Sequence, residues 1–363
     1  MTENSSYTLI SGTSTANTSD YHYYYYYVDE FEENKQNPTI TKSLHIMSMV
    51  FYSVAFLLGV MGNGLVIWIT LFKMKMTVNT VWFLNLAIAD FIFTFFLPLN
   101  IVYTALDFHW PFGTSLCKLN SFVAFLNMFA SVFILMVISI DRCISVVFPV
   151  WSHNHRNTRL ASIIVVVLWF CALVMSIPYA VFRDTRTNLK NKNIINCLYN
   201  FSLSNTSTDI IETRFRIMII VRFVLGFLIP FVVIVACYII ITLKLLKNQL
   251  INSSRPFKIF IAVIISFFLC WLPYHIFSFL ELASISAAPH LKQVVNYGSP
   301  LTSSLAFLNS CVNPILYVFI GKDFKKKLRT SILAVFENAF SEEHTQTTLQ
   351  GKSHTSSTDC HAV

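Results

Sequence analysis

Charge is what this sequence has least of. Only 12% of its 363 residues are Asp, Glu, Lys or Arg, against roughly 25% in soluble domains. Metal-ligand groupings are missing from the apolar stretches as well: His45, His275 and His290 stand alone, and Asp90 has no second carboxylate at equal depth. Those absences argue against a membrane hydrolase, which needs clustered ligands, and against a paired-acid protease. The two halves show no internal repeat with broken helices, the pattern expected of a secondary transporter. No basic-plus-apolar leader is visible at the start, so the first apolar stretch is expected to do the targeting.

What is present in quantity is hydrophobic sequence, 55% of the chain. Apolar runs lie at 44–71, 78–106, 115–147, 158–180, 213–246, 257–284 and 293–320. Each reaches the roughly 20 residues needed to cross a bilayer as a helix, and the longer ones imply tilt or projection into water. Lys and Arg mark the inner side. Segments 72–78, 142–159, 244–258 and 321–329 hold fourteen of them, with Asp141 and Asp323 the acids beside or within these segments. The first span is instead preceded by Glu3, Asp20, Asp29, Glu30, Glu32 and Glu33. The positive-inside rule then puts the C-terminus in the cytoplasm and the N-terminus outside. The net charge of +8 is a topology signal, and no nucleic-acid partner is expected.

Asn4, Asn17, Asn200 and Asn205 sit in N-x-Ser/Thr sequons on the expected outer face, as candidate glycosylation sites. Most of the eight cysteines lie inside spans, where a small buried hydrophobe is the plain reading. Cys117, which opens the third span, and Cys197, in the segment 181–212, both face the oxidising side, so a disulfide between them is expected. Residues 1–43 form a polar outer tail with Tyr21 and Tyr23 to Tyr27 beside acids, and 337–363 form a polar, hydroxyl-rich inner tail. Neither buries enough apolar surface to fold alone. Between the receptor body (44–320) and the inner tail, Phe324, Leu328, Ile332, Val335 and Phe336 recur at helical spacing among basic residues, predicting an amphipathic helix over 321–336.

Each span carries a marker: Gly62-Asn63, Leu86 and Asp90, Asp141-Arg142-Cys143, Trp169, Pro230 and Tyr238, Phe267 before Cys270-Trp271-Leu272-Pro273, and Asn313-Pro314-Ile315-Leu316-Tyr317. In that order, helix by helix, they resemble the rhodopsin-type (class A) G-protein-coupled receptors from 44 to 333. The resemblance implies an all-α membrane protein: a seven-transmembrane helix bundle with a short amphipathic helix 8. It also implies a plasma-membrane receptor without enzymatic activity or a required cofactor, whose inner face docks a heterotrimeric G protein.

The resemblance assigns roles to these residues. Asp141 would hold Arg142 in the resting state, and Arg142 would turn to Tyr238 and Tyr317 once the sixth helix swings out. The alternative is a static ion pair. Asp90 with Asn127, Ser131, Asn309 and Asn313 would bind an allosteric sodium ion, since oxygen-rich sets suit hard cations; a water-filled polar cluster is the other reading. Pro273 kinks its helix below the ligand, making Trp271 and Phe267 switch residues, with Pro314 in the last helix. For each residue alone, core packing is the alternative.

The stretches 72–91, 107–119, 141–157, 255–275 and 309–326 resemble the chemoattractant branch, chemerin-type receptors first and formyl-peptide or lipid-mediator receptors second. Inhibitory-class G proteins, receptor kinases and arrestin are the implied partners inside, and leukocyte chemotaxis the implied output. Arg222 and Glu281 would offer a cation and an anion above Trp271, suited to a peptide or protein ligand with a free carboxylate; they could also simply pair. The resemblance adds Tyr274, Arg183 and Tyr103 to the ligand contacts. The tyrosines of the outer tail resemble sulfation substrates, an anionic bait for a basic ligand; a solubilising tail is the alternative.

Overall fold

The computed structural model describes residues 38–188, 191–202, 208–247, 255–284, 289–320 and 330, with side chains at all of these but 38, 208, 255–260, 289 and 316–320. The outer tail up to residue 37, with Asn4 and Asn17, therefore lies outside the described residues, as do Asn205, the expected helix over 321–336 apart from residue 330, and the inner tail. The helices are α1 (Pro38–Phe72), α2 (Val78–Ala105), α3 (Gly113–Val147), the short α4 (Pro149–His155) and α5 (Thr158–Val181). After a hairpin come α6 (Thr208–Phe223), a wider π turn (Val224–Leu228), α7 (Ile229–Lys247), α8 (Arg255–Ser284) and α9 (Pro289–Ile320). The segment from α6 through α7 is one continuous crossing helix, Asp209–Lys247.

The helices start where polar side chains can satisfy free amides. Thr77 accepts from the Thr80 amide and closes a capping box at the start of α2. Asn157 does the same for α5, accepting from Leu160 N at 2.8 Å. The π turn has a local cause in Pro230, which has no N–H and whose ring would press on the carbonyl of Gly226 in a regular helix. There Ile229 donates five residues back to Val224, and the extra residue turns the outer half relative to the inner by roughly 100°.

Packing closes the bundle into a ring. α1 lies along α2 and α9, α9 along α8, and α3 runs through the middle against α2, α5 and α7. Burial reflects that position: 72% of the apolar window of α3 is buried, against 22% in α5, which shows its face to lipid. Six helices among the described residues are long and apolar enough to cross a membrane. The helix that closes the ring, α9, is 32 residues long but carries Asn296, Ser299, Thr302, Ser303, Asn309, Ser310 and Asn313. Most of its polar residues face inward, with Ser304, Asn309, Ser310 and Asn313 nearly fully buried.

One short sheet accompanies the all-helical bundle. The segment after α5 folds back as an antiparallel hairpin, β1 (Arg183–Thr187) on β2 (Ile195–Tyr199), with Thr185 opposite Cys197. Cys117 and Cys197 are disulfide-bonded with their Cα atoms 5.8 Å apart, which fixes β2 to the outer end of α3. Trp110 clamps the neighbouring turn, donating its indole N–H to Gly113 O (2.8 Å) and its amide to Ile195 O (2.7 Å).

Candidate functional site

Three polar sites follow one another down the axis of the bundle. The outermost is a cavity of about 280 Å³ beneath the hairpin. Trp271 and Tyr274 from α8, Phe125 from α3, Phe307 from α9 and Phe215 from α6 give it an aromatic lining. Arg222 and Glu281 both line it, as do Arg183 and Tyr199 from the hairpin.

Arg222 is 4% exposed, a depth at which a charge is costly unless partnered. Its guanidinium donates to Tyr274 Oη at 2.9 Å and lies 4.9 Å from the Tyr274 ring centroid and 5.4 Å from that of Phe125. Phe125 itself stacks on Tyr179 at 3.6 Å. Buried Nε of Arg222 has no hydrogen-bond partner, and no carboxylate reaches ion-pair distance of the guanidinium among the described residues. Glu281 shares the cavity and acts on Arg222 through the field rather than by direct contact. The π turn decides this orientation, since it resets the phase between Arg222 and Pro230.

Arg183 covers the opening, its guanidinium 4.4 Å from the Tyr199 ring centroid. Tyr103 is placed elsewhere than the cavity wall: it packs on Trp110 and Phe108, next to the disulfide. Sequence reasoning missed the Asn100–Asn120 pair on the opposite wall, linked Nδ2 to Oδ1 at 3.0 Å. Asn200 also has a structural role: its amide nitrogen, the atom a glycan would occupy, donates to Asp184 Oδ2 at 3.2 Å.

The middle site surrounds Asp90, which is wholly buried. Asn313 donates to its Oδ2 at 2.7 Å. With its amide turned so that both ends are satisfied, Asn127 donates to Asp90 Oδ1 (3.1 Å) and Ser131 (3.2 Å) and accepts from Ser310 (2.9 Å). The structure thus brings Asp90, Asn127, Ser131 and Asn313 together. Asn309 Oδ1 and Asn313 Oδ1 are buried acceptors with nothing donating to them. A buried carboxylate with unsatisfied amide oxygens and hydroxyls in the same cluster is a donor set that fits a hard cation.

Between these sites lies an aromatic cluster. Phe267 is 1% exposed, with its ring 6.0 Å from Trp271. Trp271 presents a buried indole N–H with no acceptor. Pro273 lies within α8 and Pro314 within α9, helices that pack on each other.

At the inner end the expected Asp141–Arg142 ion pair is present but long, and a second arginine shares the carboxylate. Arg156, just past α4, takes both carboxylate oxygens of Asp141, by Nε at 2.8 Å and Nη2 at 3.0 Å. Arg142 Nε stands 3.9 Å from the same carboxylate. Its Nη2 donates to Asn79 Oδ1, which also accepts from Arg156 Nη2 at 2.6 Å. Only the acidic partner was legible; Asn79 and Arg156 come from other elements, and no local spacing points to them. Tyr238 lies near enough to Arg142 to interact with its charge. The Tyr317 side chain lies outside those described.

Comparison with known proteins places these sites in a family. The family described as 7 transmembrane receptor (rhodopsin family) matches residues 62–317. Chemerin-like receptor 1 of Homo sapiens is 48% identical over 317 residues, covering 85% of this chain and 83% of that protein. The Sus scrofa receptor of the same name is 49% identical over 317 residues, covering 85% of each chain. Chemerin-like receptor 2 of Homo sapiens is 45% identical over 294 residues, 81% of each chain. With the closed helical ring, the marker in each crossing helix and a match from within α1 to within the last turns of α9, the chain belongs to the rhodopsin family of seven-transmembrane receptors.

Proposed function

We propose that this receptor senses an extracellular chemerin-like peptide or protein by admitting its C-terminus to the outer cavity, where Arg222 takes the free carboxylate. The observation carrying this reading is the near-complete burial of Arg222 on a cavity wall, with a tyrosine hydroxyl as its hydrogen-bond partner and an idle Nε. A carboxylate entering from above would supply the missing charge and a second acceptor. Glu281 would hold a ligand amide or cation nearer the mouth, and Arg183 would close over the chain. Arg222→Ala should lower peptide potency about tenfold or more, as expected when a charge-assisted hydrogen bond worth about 1.5–3 kcal/mol is lost, with surface expression retained. Amidating the peptide C-terminus should weaken the wild type similarly and the variant little. Equal loss in both receptors would remove the assignment.

Asp90 and its oxygen neighbours would hold a sodium ion that favours the resting state. The ion supplies a positive charge to Asp90, while Asn127, Ser131, Asn309 and Asn313 orient the carboxylate and the surrounding hydroxyls. Ligand contact above Trp271 would be passed along α8 at Pro273 to the inner face. There an inhibitory-class heterotrimeric G protein docks, and receptor kinases and arrestin act on the hydroxyl-rich tail. The receptor works in the plasma membrane with its N-terminus outside, a placement supported by the charge asymmetry of its connections.

A further inference from the structure

The turn between α2 and α3 holds the residues with a side chain that stand at positive φ among the described ones, Asp107 (φ 50°) and Phe108 (φ 61°). That conformation crowds any Cβ, so it persists where neighbouring contacts fix it. Here the contacts come from β2. Asn196 Nδ2 donates to Phe108 O at 3.0 Å, Trp110 N donates to Ile195 O at 2.7 Å, and Ile195 N donates to Nδ1 of the His109 ring at 3.1 Å. The turn therefore engages both backbone groups of Ile195, one through a main-chain amide and one through a side chain. An amide N–H can only meet a bare ring nitrogen. The bond thus requires Nδ1 without a proton and places the imidazole proton on Nε2.

The strand held in this way roofs the cavity. Ile195 opens β2 and Tyr199 closes it, opposite Arg183, and both Tyr199 and Arg183 line the cavity. The disulfide at Cys197 ties one point of the hairpin to α3, and a single point leaves the hairpin free to swing about it. The bonds at Ile195, two residues away, remove that swing. We propose that His109 is a positioning residue for ligand recognition: its Nδ1 is a second anchor of β2 that keeps Tyr199 and Arg183 over the cavity, and it lets go when Nδ1 takes a proton. Protonation turns the acceptor into a donor facing a donor, and histidine is the side chain that changes charge in mildly acidic surroundings. The charged and titratable groups around the turn are Asp107, His45 of α1, whose ring packs on Phe108 and which feels the Asp107 charge, and the Asp184–Arg186 pair of β1. All of them stay in place in the variants that test the anchor. The role in recognition rests on the reading of the cavity as the ligand site, whereas the anchor does not.

The test compares His109→Asn, whose Oδ1 stands where Nδ1 stood and takes no proton, with His109→Phe, which keeps a ring and loses the acceptor. Amide hydrogen exchange at Ile195 in the purified, unliganded receptor reads the anchor. At about pH 7.5, above the ordinary histidine range, exchange should be alike in the wild type and His109→Asn. In His109→Phe it should be about three- to tenfold faster, the span of one hydrogen bond. At about pH 5.5 the wild type should exchange faster than His109→Asn by a similar factor; taking both in one buffer cancels the chemical dependence of exchange on pH. Equal exchange of these two at both pH values would overturn the proposal, and that comparison holds even if the phenylalanine variant does not fold. Affinity for chemerin reads the role in recognition. At neutral pH His109→Phe should bind about two- to fivefold more weakly and His109→Asn like the wild type, while acid should weaken the wild type more than His109→Asn. Faster exchange in His109→Phe with unchanged affinity would show an anchor that recognition does not use, and would overturn the proposal too. Failure of the cavity reading is seen separately, as equal loss on peptide amidation in the wild type and Arg222→Ala.

Discussion

Single residues in this receptor matter where a buried polar atom lacks its counterpart. The idle Nε of Arg222 and the orphan oxygens of Asn309 and Asn313 are such places. Tyr274 holds Arg222 by its hydroxyl, so Tyr274→Phe should leave the cation in the cavity but free to move. Peptide potency should drop by less than for Arg222→Ala, about three- to tenfold for one hydrogen bond worth roughly 1 kcal/mol, as read in ligand-stimulated exchange. At Asp90 the expected behaviour is that added sodium weakens agonist binding to the wild type, since the ion favours the state the agonist disfavours. Asp90→Asn should abolish that dependence. Agonist affinity of the wild type that is flat across sodium concentrations would dismiss the cation reading.

At the level of elements, close approach and cross-linking decide. Gly298 of α9 faces the ring of Phe277 of α8, and a methyl group at that position would overlap the ring. Gly298→Ala should therefore cost about 1–3 kcal/mol in overpacking, seen as a lower melting temperature of the detergent-solubilised receptor. Phe277→Leu in the same chain should recover part of the loss; no recovery would place the strain elsewhere. The hairpin depends on its bond to α3. The Cys117–Cys197 link closes a sequence separation of 80, and losing such a loop constraint typically costs about 2–5 kcal/mol. Cys197→Ser should release β2 from the cavity mouth, lowering both surface expression and peptide affinity.

For the whole molecule, the expected output is signalling through inhibitory-class G proteins, and pertussis toxin should abolish agonist responses; intact responses would contradict that coupling. The inner tail lies outside the described residues, but its sequence holds Ser341, Thr345, Thr347, Thr348, Ser353, Thr355, Ser356, Ser357 and Thr358. Phosphorylation adds about −1.5 to −2 charge at each modified site, the anionic surface that arrestin would bind. Truncation after Phe340 should prolong signalling and reduce arrestin recruitment.

The sequence by itself determined the architecture, because lipid leaves few options. Apolar runs of bilayer length must be helices, and the Lys and Arg of the inner connections orient them. It also singled out Asp90, Asp141, Arg142 and Arg222, since charge within or at the end of an apolar span needs a reason. The Cys117–Cys197 pair was legible because both residues face the oxidising side. What only the tertiary structure decided were the partners. Arg156 takes both oxygens of Asp141 although it lies 15 residues away, and Asn79, which accepts from both arginines, comes from α2. Tyr103 packs under the hairpin rather than into the cavity, and the hairpin itself was hidden in a polar segment without strong alternation. The direction of Arg222 depends on a π turn that shifts helical phase by one residue. Local pattern fixes which residues are costly in a membrane, whereas the packing of separate helices fixes which atoms satisfy them.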